Sequence, residues 1–107
     1  MITVGLSEAG SEIRATANDT IVLRLPENPT TGVRWDFEGL EGPVRLTGDT
    51  YESSPGAGIG AAAVRILTLQ PIGLGRVQLE LKRWQKWEGA TTIDARFTCS
   101  VEIEQVP

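Results

Sequence analysis

The stretch Thr92-Ile93-Asp94-Ala95-Arg96-Phe97-Thr98-Cys99-Ser100-Val101-Glu102-Ile103 decides the fold class. Ile93, Ala95, Phe97, Cys99, Val101 and Ile103 alternate without a break with polar or charged neighbours. Successive side chains of a β-strand point to opposite faces, so a sustained period of two specifies a long strand with one buried face and one wet face. A helix would place every third and fourth residue on one side instead.

The same period recurs upstream. Val77, Leu79 and Leu81 alternate with Arg76, Gln78, Glu80 and Lys82, and Val33, Trp35 and Phe37 alternate with Arg34, Asp36 and Glu38. Weaker strand signals cover residues 2–6, 13–15, 20–25, 44–46 and 62–69, the last apolar on both faces and so expected at a central position. Between these runs lie turn-forming residues: Asn18-Asp19, 26–32, 39–43, 53–60, 71–75 and Gly89. Short alternating strands separated by such turns favour an antiparallel sandwich over βαβ units. The expectation is an all-β, immunoglobulin-like antiparallel β-sandwich of seven or eight strands, with Trp35 as its core tryptophan. No repeat or linker interrupts residues 1–107, which read as one domain.

Composition narrows the function. At 107 residues, folding buries only about two thirds of the unfolded chain's surface, so a second lobe or a large enclosed cavity is not expected. The chain has no histidine and one cysteine, so it cannot assemble a Ser-His or Cys-His nucleophilic pair or the usual Cys/His zinc site. An enzyme is therefore the least favoured class, and no metal or cofactor is expected. Ten basic residues against fourteen acidic ones give a net charge of −4 with no basic face, which argues against nucleic acid as a partner. No run approaches the ~20 apolar residues of a membrane span, and Met1-Ile2-Thr3-Val4-Gly5 lacks a signal-peptide pattern. The expectation is a soluble monomer, either cytoplasmic or a mature periplasmic or secreted domain.

Several features carry bland readings. Gly56-Ala57-Gly58-Ile59-Gly60-Ala61 has phosphate-loop spacing, but Pro55 precedes it and a β-like run follows, where the fingerprint requires a strand before and a helix after. Cys99 falls on the inward face between Phe97 and Val101, the place of a buried inert thiol. Asn18-Asp19-Thr20 is a formal glycosylation triplet of a kind frequent by chance. Asp49, Glu52, Glu102 and Glu104 read as a solvated face, and Glu88 as a turn charge.

The most specific feature is Asn28-Pro29-Thr30-Thr31-Gly32, enclosed by Pro26 on one side and the Trp35 strand on the other. Read from composition alone it is an ordinary turn; read for function it is a stiff loop presenting small side chains, suited to being pressed into a groove at little entropic cost. Here the sequence resembles the chagasin-type inhibitors of papain-family cysteine peptidases, whose hallmark is an N-P-T-T-G loop followed by an aromatic-x-Trp strand start. The resemblance spans residues 20–104 and rests on three loops in the family's order. The first is matched in full, with Val33 where the family usually has an aromatic. The second, G-x-G-G in the family, is carried by Gly58-Ile59-Gly60-Ala61. The third, R-P-W, corresponds to Arg83-Trp84 without the intervening proline, with Trp87 three residues on.

The resemblance implies a reversible, competitive inhibitor whose three loops at one end of the sandwich block a papain-family peptidase's cleft, with Thr31 nearest the catalytic cysteine. Strand alternation favours Trp84 as the contacting ring, pointing outward at the end of its strand, and leaves Trp87 as a loop anchor folded over apolar surface. The alternative is a glycan- or protein-binding β-sandwich module with a Trp84/Trp87 contact surface, which leaves the 28–32 loop unexplained. A generic assembly module would fit every loop and predict none.

Overall fold

The structure, a computed structural model, describes residues 1–27, 32–53 and 63–107, together with the backbone of the strand ends they include. Eight strands form in chain order: β1 (Ile2–Val4), β2 (Glu12–Thr16), β3 (Ile21–Glu27), β4 (Arg34–Glu41), β5 (Val44–Ser53), β6 (Ala63–Pro71), β7 (Gly75–Trp84) and β8 (Ala95–Glu104). They make two four-stranded sheets, ordered β1-β3-β6-β5 and β2-β8-β7-β4, which stack as an all-β sandwich. β6 is central, as its apolar run led one to expect. The antiparallel expectation holds for four of the pairings, while β1 with β3 and β2 with β8 are parallel. The N-terminal strands do not fold back as hairpins but reach partners distant in sequence, so that Ile2 lies opposite Ile21 and Glu12 opposite Ser100.

The alternating residues meet between the sheets. Leu23, Leu25, Leu67 and Leu69 from one sheet and Val77, Leu79, Leu81, Phe97, Val101 and Ile103 from the other are buried around Trp35, which is 1% exposed. Burial on this scale is the main favourable term in folding. Two bulges refine the simple alternation. In β4 the register shifts between Phe37 and Gly39, so Leu40, which strict alternation would turn outward, lies opposite Leu79. In β5 the shift falls between Leu46 and Gly48, after which Asp49 and Tyr51 take the face that Val44 held. That switch explains why the apolar signal stops at Leu46 although the strand runs on to Ser53. Similarly, Pro26 and Glu27, read as loop from sequence, complete β3, and Ile93 lies before β8.

Cys99 is buried at 2% exposure, and that burial pushes its thiol above the usual range. A thiol reagent is therefore expected to label the native chain slowly and the denatured chain at the rate of a free thiol. Fast native labelling would mean that β8 opens at Cys99.

Candidate functional site

Direction along the strands decides which connections share an end. β3 ends where β6 begins, with Glu27 opposite Ala63, and Ala63 also faces Ser53 at the end of β5. In the other sheet Arg34 at the start of β4 lies opposite Trp84 at the end of β7, and Arg83 lies opposite Ala95. The connections β3–β4, β5–β6 and β7–β8 therefore emerge together from one end. Asn28, Pro29, Thr30 and Thr31 of the first and Gly58, Ile59, Gly60 and Ala61 of the second lie outside the described residues. Gly32, Arg83, Trp84 and Trp87 are described, and they decide how the first and third connections relate.

Gly32 adopts φ = +76°, a region that side-chain-bearing residues rarely enter. Its α-carbon faces the indole of Trp87, so a Cβ there would stand 2.2 Å from Trp87 Cη2. The first and third connections thus touch through a glycine and an aromatic ring. Trp87 is nonetheless 67% exposed and not folded over the core. Trp84 does point outward, but it is already engaged: its Nε1 donates to Asp36 at 2.7 Å, and the Lys82 ammonium lies 3.7 Å from its ring centroid. Trp84 is thus already partnered within the chain, whereas the Trp87 ring is open to solvent. Arg83 follows the inward set of β7, with its guanidinium 5.7 Å from the Trp35 ring, and its Nε and Nη2 donate to Asp94 at 2.8 and 3.1 Å. Those bonds hold the Asp94 carboxyl below its ordinary range.

The third connection is braced from within. Two short 3₁₀ turns, Lys86–Glu88 and Ala90–Thr92, meet at Gly89, whose φ of +84° with ψ of −169° is glycine territory. The Thr92 hydroxyl accepts the Gln85 N–H at 2.9 Å and sits 2.7 Å from the Gly89 carbonyl. The Asp94 N–H donates to the Arg83 carbonyl across the loop's base at 3.0 Å. These bonds fix the backbone on either side of the turn that carries Trp87.

Beneath the first two connections lies a charged group that the sequence reading missed. The Glu27 side chain is fully buried and accepts the Trp35 N–H, while the Trp35 indole N–H donates to the Pro26 carbonyl at 2.9 Å. Arg65, with a side chain only 7% exposed, reaches Glu27 at 3.2 Å and Asp49 through both Nε and Nη2. Asp49 is exposed, as the solvated-face reading had it, but it is also paired: Arg65 holds its carboxyl below the ordinary range. The signal was present as a single arginine in the inward set Ala63, Arg65, Leu67, Leu69. Glu52, by contrast, is exposed and pairs with Arg24.

Among the described residues no group of three or more His, Cys, Asp or Glu side chains is disposed to hold a metal ion, and no helix is long and apolar enough to cross a membrane. What the end of the sandwich offers is shape: a braced loop, an exposed ring and a glycine-backed contact between two connections. Residues 14–101 match the chagasin family of peptidase inhibitors. The chain belongs to that family.

Amoebiasin-2 of Entamoeba histolytica is 29% identical over 98 residues, covering 90% of this chain and 80% of the relative. Among solved structures, a cysteine protease inhibitor from Entamoeba histolytica superposes with a TM-score of 0.83 at 25% identity, covering 96% of this chain and 94% of that one. The solution structure of amebosin gives 0.76 at 20% identity, covering 96% and 97% of the two chains. PbICP-C, solved in complex with falcipain-2, gives 0.68 at 10% identity over 97% and 100%. The last two show the fold alone. Membership of the chagasin family makes this chain a peptidase inhibitor and not an enzyme.

Proposed function

We propose that the chain inhibits papain-like cysteine peptidases reversibly and competitively, as a monomer, by seating the end that carries the 28–33, 54–62 and 85–94 connections in the active-site cleft. The observation that carries this reading is the convergence of those three connections on one end, two of them joined by the Trp87 ring over Gly32. The family's peptidase class is supported by the Entamoeba cysteine protease inhibitor, which shares the fold over nearly the whole chain. In this arrangement Thr31 lies nearest the catalytic cysteine, Gly58 to Ala61 line one side, and the third connection lines the other, with Trp87 supplying its ring. The chain has no histidine to serve as a base, so occupancy of the cleft does the work without chemistry by the inhibitor.

Titration of papain with the purified chain, followed at steady state with a fluorogenic peptide, tests the reading; unchanged activity at large excess would end it. Thr31→Arg puts a long charged side chain where the cleft is narrowest, at the centre of the contact, where added volume is felt most. Inhibition is expected to weaken by about 100-fold, equivalent to ~2.7 kcal/mol of binding. A Thr31→Arg chain that inhibits like the parent would move the contact away from this loop.

A further inference from the structure

We propose that Arg65 is a positioning residue of the inhibitor: its guanidinium, buried at the base of the first two connections, sets the spacing from which both rise. This rests on the inhibitory reading above but concerns residues that reach no peptidase.

Arg65 sits on β6, opposite Leu25 of β3 and Tyr51 of β5. Nη1 lies 3.2 and 3.3 Å from the two Glu27 oxygens and 3.2 Å from the Trp35 carbonyl oxygen. Nε and Nη2 donate to the two oxygens of Asp49. One planar group thus spans β3 and β5 in its own sheet and β4 in the facing one. Glu27 closes the figure by accepting the Trp35 N–H. These anchors stand where the chain enters and leaves the connections: Glu27 is the last residue of β3, Trp35 the second of β4, Arg65 the third of β6, and Asp49 lies four residues from the end of β5.

Stability does not account for this construction. Moving an ion pair out of water costs about as much as its attraction returns, and well-packed apolar replacements are often as stable or more so. What an apolar cluster cannot supply is direction. The rigid guanidinium fork fixes several partners at set distances and angles, whereas aliphatic side chains pack in many arrangements of similar energy. A wedge that enters a cleft gains affinity when its parts are already spaced before contact.

The test replaces the pair without stranding a charge. In Glu27→Gln/Arg65→Met the amide oxygen at position 27 still accepts the Trp35 N–H, and Asp49, 44% exposed, turns to water. Melting is expected close to the parent's, while papain inhibition weakens about 10-fold or more and hydrogen exchange at the Trp35 amide of the free chain accelerates by a similar factor. Ile103→Val, at the opposite end opposite Gly75, serves as the control: its melting falls while its inhibition and Trp35 exchange match the parent's. A double variant with parental inhibition and parental Trp35 exchange overturns the proposal. So does weakened inhibition with unchanged exchange, and so does an Ile103→Val chain that loses inhibition in proportion to its melting. If the parent itself leaves papain active, the inhibitory reading fails, and the exchange measurement, which needs no peptidase, still decides the role of Arg65. Should the double variant not fold, Asp49→Asn, which removes the charge and one of the two bonds of the arm nearest water, decides on the same two readouts.

Discussion

Trp87→Ala is expected to weaken inhibition of papain by about 30-fold or more while the melting temperature stays within about 2 °C of the parent's. The ring is 67% exposed, so the fold gains little from it, and exposed substitutions usually change stability by under about 0.5 kcal/mol. Tryptophans at the centre of an interface typically contribute ~2 kcal/mol or more, which corresponds to that factor of 30. The braced 85–94 connection and the seat over Gly32 mean that the ring is held in its binding pose beforehand. Trp84→Ala should behave oppositely. It removes the bond to Asp36 and the surface on which Lys82 rests, so its cost appears in melting while inhibition largely survives. Loss of inhibition at unchanged melting in the Trp84 variant, with a parental Trp87 variant, would reverse the assignment.

The largest effect on stability is expected from Trp35→Ala, which should lower the melting temperature by about 15 °C or more. Truncating a buried aromatic costs about 3–5 kcal/mol, against a total of ~5–15 for a domain, and one kcal/mol moves melting by roughly 4–8 °C at this size. Position 35 has more to lose than volume. The indole N–H is the partner of the Pro26 carbonyl, and the ring carries the Arg83 guanidinium on its face. The backbone N–H still reaches Glu27 in the variant, so the loss isolates the side chain. Trp35→Phe should fall between, because it keeps most of the bulk but strands the Pro26 oxygen. Thermal melts followed by circular dichroism measure both; a shift below about 5 °C for Trp35→Ala would show that the two sheets close over the gap.

How far the sequence could be read depended on what kind of signal each residue carried. β7 and β8 were legible because nothing but burial acts on Val77, Leu79, Leu81, Phe97, Cys99 and Val101, and burial writes itself as alternation. β5 was legible only to Leu46, since its bulge changes the inward parity and the next inward position is an aspartate answering an arginine on the neighbouring strand. A polar residue inside a sandwich looks like a surface residue until its partner is known. Glu27 was hidden in the same way, beside prolines that suggested a loop. Arg83 and Trp84 were correctly turned inward and outward, but the sequence could not show that Asp36 and Lys82 had already claimed the Trp84 ring, or that Gly32 opened a seat for Trp87. The Asp36–Trp84 and Gly32–Trp87 relations join residues 48 and 55 positions apart, and no local pattern encodes them.

The two bulges have a consequence beyond parity. β1, β5, β2 and β4 flank the sheets, and among the described residues none of them has a further strand on its outer side. Such flanks template the addition of foreign strands and, in concentrated solution, growth into aggregates. Here β1 has three residues and β2 five, too few to recruit a strand firmly, while the longer β4 and β5 are each kinked midway by the shifts at Phe37/Gly39 and Leu46/Gly48. Arg34, Asp36, Glu38 and Glu41 on β4 and Arg45, Asp49 and Glu52 on β5 add charge that a second copy would have to bury. Short flanks, kinks and charge all oppose the pairing of one copy with another along the sides of the sandwich.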